Sequence, residues 1–463
     1  MAGSLATGWE ADLGRFLEPF LAGLSRAAQR CWAPVYVTGL LLPGERKSVE
    51  PMAQRVAPGD VQQLHHFIST APWPTAPLEA ELVRQADRLV GGADAVLVID
   101  DTALVKQGKH SVGVQRQYCG QLGKRANCQA LVSLTLARQE VPVCVGLRLF
   151  LPEAWAAANA EACRRAGVPA AILERGHQPK WRIALDEIER IAATGARFGC
   201  VLADAEYGKA AVFRRELSAR GHLWALGVLP TQKVYPAEVT LSPPTRSGSG
   251  SGSGRGRGGR PAKHPVPSVE SVGAAERFEA LPPEAFRTIT SRQGTKGSLQ
   301  ARFAALRVRV ADGPPMAQGR HLPNNDEAWL VCEWRTSGER KYHLTNHPAE
   351  TPLERLAAQL KQRWACEQMH QQMKEELGLD HFEGRSWTGL HHHTLMCQIA
   401  FAFLQHLRLR PEAERDDGEK NRRRTIRNRA TARAVATGST AADQHGRVPD
   451  PAALPTLPKT LQT

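Results

Sequence analysis

Apolar side chains recur at helical spacing throughout the N-terminal part of the chain. From Leu13 to Leu24, leucine and phenylalanine lie three or four positions apart, which is the spacing of one buried helix face. Shorter runs with the same period follow at 61–68 and 78–89. We therefore predict that residues 1–92 form a helical domain, with DNA binding as its role.

A different pattern begins at Val96. Residues 96–99 are consecutive branched apolar residues, which is typical of a strand that is covered on both faces. Asp100 and Asp101 follow directly. Acids at the end of such a strand lie at the mouth of the sheet, where they can hold a metal ion. Two acids after a strand are also typical of a simple turn, so this stretch alone leaves both interpretations open.

The patterns that follow indicate one fold class. Two β-rich runs separated by three polar residues predict an antiparallel hairpin, and strands then alternate with helices. This is the order of an RNase-H-like α/β fold with a mixed sheet and flanking helices, in which acids after the first and fourth strands lie side by side. The strands are predicted at 130–137, 141–151, 198–203 and 223–229, the helices at 181–193 and 209–220, and the second acid is Asp204.

These patterns divide the chain into further segments. Residues 93–229 are the predicted first part of a catalytic core, and residues 349–408 are its second part. Between them, residues 230–348 read as a β-rich insertion, with strand-like runs at 299–310, 328–334 and 341–344. The insertion contains a basic Gly/Ser stretch at 245–264 that is predicted to be flexible. Residues 409–463 have too little apolar surface to fold, so we predict a disordered basic tail.

A helix with an unusual face is predicted from Pro352 to Leu377. Its leucine stripe continues at the same spacing into Arg363, Glu367 and Lys374. A face that is apolar for two turns and then polar is expected of a helix that packs on a sheet and lines a cleft at its far end. An ordinary ion pair between Arg363 and Glu367 on a solvated face is the alternative.

The charge balance points to a class of partner. The 463 residues include 60 Lys and Arg against 46 Asp and Glu, a formal net charge of +14. Such a surplus favours a polyanion, because each neutralised phosphate releases counterions. Ribosomal, nucleic-acid-modifying and some membrane-surface proteins share this property, so the charge identifies no reaction.

The cysteine pattern and the hydropathy of the chain indicate where in the cell the protein is located. The nine cysteines contain no Cys-x-x-Cys pair, so neither a zinc ribbon nor a disulfide framework is predicted. No apolar run approaches the roughly 18 residues of a membrane span, and the N-terminus lacks the pattern of a signal peptide. We therefore predict a cytoplasmic, nucleoid-associated protein with no membrane partner.

Three blocks of residues stand out in the chain. They are Val98-Ile-Asp-Asp-Thr102 with Lys109 to Lys124 and Asn127 to Gln129; Leu202-Ala-Asp-Ala-Glu-Tyr-Gly208; and Arg363, Trp364, Glu367, Lys374 and Glu376 to Trp387 with His391 to His393. In these blocks the chain resembles bacterial insertion-sequence transposases of the DDE superfamily, of the insertion sequence seven-zero-one type and its relatives with a Tyr-Arg-Glu-Lys signature. The likeness covers about residues 10–407. One departure is Leu360, which stands where the full signature has tyrosine.

The resemblance implies a set of site residues. The family's three acids fall on Asp100, Asp204 and Glu367, which would be both the catalytic residues and the ligands of two Mg²⁺ ions, with Mn²⁺ able to substitute. The pattern Asp-x-Thr places the first ligand on Asp100 and leaves Asp101 facing the other way along the strand. The predicted DNA contacts are Arg363, Lys374, Lys106, Lys109 and Arg385.

Other cations are weaker candidates for DNA contacts. The loop at 44–52 could present Arg46 and Lys47 to DNA, or carry them as ordinary solvated side chains. Arg116 and Lys124 follow the first acid and could contact the DNA backbone. For these two residues, surface cations of no special role are the competing interpretation.

The resemblance also implies a function and partners. It predicts a transposase that cuts double-stranded DNA at the ends of its element and joins the freed 3′-hydroxyls to target DNA, acting as a homodimer on paired ends. The sequence itself shows no dimer interface. Two alternatives remain open, a metal-dependent nuclease without strand transfer and a decayed, non-catalytic DNA-binding protein.

Overall fold

The computed structural model describes residues 7–156, 160–243, 264–294 and 297–410. Fifteen α-helices and fourteen β-strands lie within these ranges. The predicted Gly/Ser linker at 245–264 lies outside the described residues except for His264. The predicted tail at 409–463 also lies outside them, except for Leu409 and Arg410.

Five helices precede the first strand, in the region that the sequence predicts to be helical. Leu13, Phe16 and Phe20 are buried, so the predicted apolar stripe faces a core. The Tyr36 hydroxyl lies 2.9 Å from Nδ1 of His393, which belongs to the last helix, so both ends of the described chain share one core. The five are α1 (Thr7–Leu21), α2 (Ala27–Leu41), α3 (Val49–Val56), α4 (Val61–Ser69) and α5 (Ala76–Val90).

The central sheet has the strand order that the sequence predicts. Strand β1 lies between β3, with which it is antiparallel, and β5, with which it is parallel, while β4 flanks β3 and β6 flanks β5. This order confirms the predicted RNase-H-like mixed sheet. The strands are β1 (Val96–Val105), β2 (Gln115–Cys119), β3 (Lys124–Arg138), β4 (Val141–Leu149), β5 (Cys200–Ala203) and β6 (Trp224–Val228).

The β-rich segment after β6 extends this same sheet. Strand β14 pairs with β6, and β13 and β12 follow outward, so the sheet has twelve strands. The predicted runs at 299–310, 328–334 and 341–344 lie within β12, β13 and β14. The elements are β7 (Lys233–Pro236), β8 (Leu241–Ser242), β9 (Val266–Pro267), β10 (Val272–Gly273), α12 (Ala274–Glu279), β11 (Arg287–Gly294), β12 (Gly297–Val310), β13 (Glu327–Arg335) and β14 (Arg340–Thr345).

Helices cover the sheet and supply the third acid. The prediction of one continuous helix from Pro352 to Leu377 is wrong, because the helix is interrupted at Arg363, where the amide of Cys366 bonds three residues back to the Arg363 carbonyl. The helices are α6 (Glu153–Ala156), α7 (Ala160–Arg165), α8 (Ala170–Glu174), α9 (Lys180–Ala193), α10 (Ala205–Gly208), α11 (Ala211–Ala219), α13 (Leu353–Gln362), α14 (Trp364–Glu375) and α15 (Trp387–Arg408).

Candidate active site

Asp100 and Asp101 lie within strand β1. They pair with Ser133 and Val132 of β3, and β1 continues to Val105, so the interpretation of these acids as a turn is wrong. On the other side, the pairing with β5 ends one residue before Asp100, where Ile99 lies opposite Ala203. Because the two strands are parallel, the residue after Ala203 emerges beside the residue after Ile99. The register therefore places Asp204 next to Asp100.

Asp204 is held by the short helix that follows it. Its Oδ1 atom accepts hydrogen bonds from the amide of Glu206 at 2.9 Å and from that of Tyr207 at 3.4 Å, so it is the N-cap of α10. A carboxylate at a helix N-terminus is favoured by the unpaired amides there. One carboxylate oxygen is thereby fixed, and the other remains available for a ligand.

Two glycines allow α10 to approach the sheet closely. A β-carbon at Gly208 would lie 1.8 Å from the carbonyl oxygen of Gly227 on β6, and one at Gly227 would lie 2.8 Å from the amide of Ala205. Neither contact can be relieved by a side-chain movement, because the atoms met are backbone atoms. The close packing of glycines on α10 and β6 therefore determines where Asp204 sits.

Gly208→Ala is expected to lower the free energy of unfolding by about 1–3 kcal/mol, as overpacking does, and to lower DNA cleavage by displacing Asp204. Urea denaturation and a cleavage assay would measure the two effects. Gly14→Ala is a matched control, because Gly14 lies in α1 with nothing within 4 Å of an added β-carbon. That control should be neutral or slightly stabilising. A Gly208→Ala protein with unchanged stability would contradict the packing argument.

Glu367 lies on helix α14, and the side chain of Arg363 connects it to Asp100. The Arg363 guanidinium donates through Nη1 to Asp100 Oδ2 at 2.8 Å and through Nη2 to Glu367 Oε1. The alternative of an ion pair between Arg363 and Glu367 is thus realised, but the same guanidinium also binds Asp100. The sequence prediction that these three residues lie together on one cleft is consistent with this contact.

Helix α14 is anchored to the sheet beside Asp100. His370 Nε2 lies 2.8 Å from the hydroxyl of Ser133, which is the cross-strand partner of Asp100. Burial lowers the pKa of His370 to about 3, so the imidazole is neutral and does not add a second positive charge next to Arg363. A hydrogen bond between neutral groups therefore positions the helix that carries Glu367.

These side chains line a cavity of about 640 Å³. Its walls include the acids Asp100, Asp204 and Glu367 together with Arg363 and Lys374. Asp101 also lines the cavity, so the prediction that it faces the other way is wrong. The Lys374 ammonium donates to Gln121 Oε1 at 3.1 Å, so the cavity extends from the acids to the turn between β2 and β3. Burial lowers the pKa of Lys374 from its ordinary value. The structure thus brings all three predicted acids and two of the predicted DNA contacts to one opening.

The environment of Asp100 makes its negative charge costly. Burial raises the pKa of Asp100 to about 7 despite the opposing charge of Arg363, and the nearby carboxylate of Asp204 adds to the rise. Its side chain is only 15% exposed, whereas that of Glu367 is 52% exposed. A desolvated carboxylate next to other carboxylates is stabilised by any cation that enters the cavity.

Asp101 has different partners from Asp100. Its Oδ2 atom forms an ion pair with Lys180 at the start of α9, and its Oδ1 atom accepts a hydrogen bond from the Tyr207 hydroxyl at 2.6 Å. Tyr207 is buried and follows Asp204 on α10. Asp101 therefore connects β1 to the helix that carries Asp204. Sequence reasoning missed the roles of Lys180 and Tyr207, although Tyr207 belongs to the block that carries the family resemblance.

The donor set suits a divalent metal, although its present geometry is not that of a metal site. Among the described residues, no three carboxylate, imidazole or thiol side chains converge on one point. The guanidinium of Arg363 lies between Asp100 and Glu367 in this structure. Carboxylate oxygens are the donors that hard divalent cations prefer. The acids of this cavity therefore supply donors that suit a divalent metal.

The remaining predicted DNA contacts do not line this cavity. The Lys106 ammonium is partly buried and donates to the carbonyl of Phe382 at 2.5 Å, so it supports the fold and is not offered to a phosphate. Lys109 and Arg385 line a separate cavity of about 490 Å³ together with His110. The structure thus brings Lys109 and Arg385 to each other but not to the acids.

The two cations of the loop at 44–52 are not both exposed. Lys47 is 4% exposed, and its ammonium donates to the carbonyls of Leu40 and Leu42 at the end of α2. Burial lowers its pKa to about 8. Arg46 is exposed and pairs with Glu383. Lys47 therefore caps a helix, and of the two cations in this loop only Arg46 is exposed.

Comparisons with known proteins agree with the geometry. Residues 19–298 match a family model described as DDE superfamily endonuclease, a range that includes Asp100 and Asp204 but not Glu367. The chain is also similar to a probable transposase for insertion sequence element IS701 from Microchaete diplosiphon. The two are 30% identical over 168 residues, which are 36% of this chain and 40% of the relative. The match thus spans less than half of that relative's length. No helix in the described ranges has the length and apolar character to cross a bilayer.

Proposed function

The chain belongs to the DDE superfamily of endonucleases, and on that premise we propose that it is a DNA transposase. It cuts phosphodiester bonds at the ends of an insertion sequence and joins the freed 3′-hydroxyls to target DNA. The observation that carries the proposal is the Arg363 guanidinium between Asp100 and Glu367, with Asp204 placed beside Asp100 by strand register. Residues that are far apart in sequence thereby meet at one cavity.

Asp100, Asp204 and Glu367 are the proposed ligands of two Mg²⁺ ions, for which Mn²⁺ can substitute. When bound, the ions would stabilise the charge that develops on the attacking and leaving oxygens of an in-line displacement at phosphorus. The neighbouring groups prepare the carboxylates for this role. Asp204 keeps one oxygen on the N-terminal amides of α10, and Asp101 ties that helix to the strand of Asp100.

Arg363 and Lys374 are the proposed phosphate contacts. Arg363 lies at the break between α13 and α14, and its planar guanidinium can exchange two carboxylate oxygens for two phosphate oxygens. Lys374 lies eleven residues after Arg363, about three helical turns along α14, and binds Gln121 at the rim of the cavity. DNA entering the cavity would therefore bind both cations, and its arrival would release Asp100 and Glu367 from Arg363.

The proposed partners are the two ends of the element and a target duplex. Joining two ends to one target requires two active sites, so a homodimer on paired ends is the proposed assembly. The formal net charge of +14 supports a polyanionic partner. Family membership implies that DNA is that partner, and the element ends and the dimer are parts of the proposal.

A strand-transfer assay tests the function. Purified protein would be incubated with Mg²⁺, a supercoiled target plasmid and pre-cleaved duplexes from the ends of the element that encodes this chain. We expect joined products that the Glu367→Gln protein does not form. Cleavage of uncut ends without any joined product would instead identify a nuclease. Binding without cleavage or joining would identify a non-catalytic DNA-binding protein, and either outcome would overturn the proposal.

A further inference from the structure

Strands β2 and β3 form a two-stranded ribbon that projects beside the catalytic cavity. Gln115 lies opposite Cys128 at its base, and Cys119 lies opposite Lys124 at its tip. The connecting turn at 120–123 ends at Gly123, whose left-handed φ of 60° suits glycine. Cys119 is buried, but most side chains of the ribbon are exposed. We refer to residues 115–128 as the ribbon.

Two apolar side chains of the ribbon are unusually exposed. Tyr118 is 68% exposed and Leu122 is 43% exposed, and both are among the large hydrophobic side chains that the described part of the chain leaves in solvent. Tyr118 lies on β2, and Leu122 lies in the turn that follows it. Apolar groups at the tip of a projecting ribbon do not contribute to a core, so their exposure suggests contact with another molecule.

The charge of the ribbon indicates what that molecule is. Arg116, Lys124 and Arg125 are exposed on its two strands, and within the described ranges no ion pair joins any of the three to a carboxylate. The chain has no aspartate or glutamate between Asp101 and Glu140. A surface with several cations that pair with no carboxylate is complementary to a polyanion and would repel a second, identical surface.

The position of the ribbon connects it to the catalytic cavity. Gly120 and Gln121 in its turn line the cavity that contains the three acids. Gln121 accepts the hydrogen bond from Lys374, a proposed phosphate contact on α14. A duplex with its scissile phosphate at the acids therefore has the ribbon directly alongside.

We propose that the ribbon inserts into the major groove of the DNA next to the cleavage site. This inference rests on the proposed function, since it takes the duplex at the acids as its partner. The major groove, about 12 Å wide, admits a two-stranded ribbon without deformation of the DNA, whereas the minor groove is only about 6 Å wide. Arg116, Lys124 and Arg125 bind phosphates on the two sides of the groove. Tyr118 and Leu122 pack against thymine methyl groups and sugar carbons inside it.

A salt titration tests the electrostatic part. The probe is a fluorescein-labelled duplex of arbitrary sequence, and binding is measured by anisotropy between about 50 and 200 mM KCl. The variant carries three substitutions, Arg116→Gln, Lys124→Gln and Arg125→Gln. We expect the slope of the logarithm of its binding constant against the logarithm of the salt concentration to fall in magnitude by about 2 to 3, because each lost phosphate contact removes about 0.9 from the slope. An unchanged slope would overturn the proposal.

The matched control removes the same charge elsewhere. Arg175, Arg287 and Arg320 are between 44% and 62% exposed, and each pairs with a carboxylate. They lie outside residues 1–92, outside the ribbon and outside the lining of the cavity that contains the acids. The triple variant Arg175→Gln, Arg287→Gln, Arg320→Gln should change the slope by less than about 1. A change equal to that of the ribbon variant would mean that net charge alone matters, and this would also overturn the proposal.

A groove-competition experiment tests the apolar part with the same duplex. Methyl green occupies the major groove and netropsin the minor groove. We expect methyl green to weaken binding of the unmodified protein several-fold more than binding of the Tyr118→Ser, Leu122→Ser variant, with netropsin affecting both equally. Equal sensitivity of the two proteins to methyl green would contradict insertion in the major groove.

Two further outcomes separate this proposal from others. If the Tyr118→Ser, Leu122→Ser variant changed the sedimentation of the DNA-free protein but not groove competition, the ribbon would be an interface between copies of the chain. An unmodified protein that neither cuts nor joins DNA would overturn the proposed function, yet the salt slope would still report on the ribbon. An active enzyme whose slope is unaffected by the ribbon variant would overturn the ribbon proposal alone.

Discussion

Asp100→Asn is expected to reduce Mg²⁺-dependent DNA cleavage by roughly 10³-fold or more. Asp100 is a largely buried acid of the cavity, and Arg363 also binds it. The asparagine side chain would remove a negatively charged ligand from this desolvated position. A metal ligand of this kind supports several kcal/mol of transition-state stabilisation, and each 1.36 kcal/mol corresponds to about tenfold in rate. Asp204→Asn and Glu367→Gln should have comparable effects. Cleavage of end DNA in the presence of Mg²⁺ is the measurement.

Asp101→Asn is the control for this prediction. The substitution weakens the ion pair with Lys180 and the hydrogen bond from Tyr207, but it leaves the contact between Arg363 and Asp100 intact. A hydrogen bond to a charged group contributes about 1.5–3 kcal/mol, so we expect cleavage to fall by about tenfold to a hundredfold, partly through loss of stability. If Asp101→Asn were as severe as Asp100→Asn, the ligand would be Asp101.

Two further measurements make the comparison decisive. DNA binding without metal should be retained by Asp100→Asn, because removing a carboxylate does not weaken contacts with phosphates. The urea midpoint should also stay close to that of the unmodified protein. Retained cleavage in the Asp100→Asn, Asp204→Asn or Glu367→Gln protein would contradict the assignment of that acid.

Arg148→Leu is expected to cause the largest loss of stability. Arg148 on β4 makes a bidentate contact with Glu79 of α5, at 2.8 and 2.5 Å, and also pairs with Glu187 of α9 at 2.8 Å. Both carboxylates are about nine-tenths buried. Removing the arginine leaves Glu79 without its main counter-charge, although Glu187 keeps its contact with Arg190. Breaking a buried ion pair in this way costs about 3–5 kcal/mol. Urea denaturation followed by tryptophan fluorescence would measure the loss.

The pH dependence gives this prediction a second test. Burial alone would raise the pKa of Glu79, but the hydrogen bonds and charge of Arg148 outweigh it and lower the pKa to about 2. A depressed carboxylate pKa contributes stability that is complete above the ordinary value of 4.5 and is lost as the pH falls towards 2. The difference between the unmodified and Arg148→Leu proteins should therefore shrink between pH 4.5 and pH 2.

An exposed ion pair serves as the control for Arg148. Arg175 pairs with Asp186 at 2.9 Å, and the two side chains are 60% and 43% exposed. Arg175→Leu should change the free energy of unfolding by less than about 1 kcal/mol. Equal losses for Arg175→Leu and Arg148→Leu, or a pH-independent deficit in Arg148→Leu, would show that the buried cluster does not act as described.

The failures of sequence reasoning have local physical causes. Strand β2 was not predicted because Cys119 is its one buried residue, and a single buried position gives no alternating pattern of apolar side chains. The break at Arg363 was missed because no proline or glycine marks it, and one tightened turn leaves the spacing of the apolar face almost unchanged. Lys47 was placed on the surface because its partners are backbone carbonyls, which every sequence offers equally.

The sequence by itself determined most strands and helices of the core, the strand that carries Asp100, the strand that Asp204 follows, and the polar face that carries Glu367. These features follow from hydrophobic periodicity and from the resemblance to a family, and periodicity is set by neighbours a few residues apart. They were sufficient to predict the RNase-H-like sheet and the three acids that line the cavity.

Only the tertiary structure decided how these residues are used. It showed that Asp101 holds Lys180 and Tyr207, that Arg363 bridges Asp100 and Glu367, and that the exposed ribbon lies beside the acids. Each of these contacts joins side chains that are far apart in sequence, 263 positions in the case of Asp100 and Arg363. Periodicity shows which face of an element is buried, but a side chain's partner depends on which distant element packs there. That choice is made by the assembled sheet and helices.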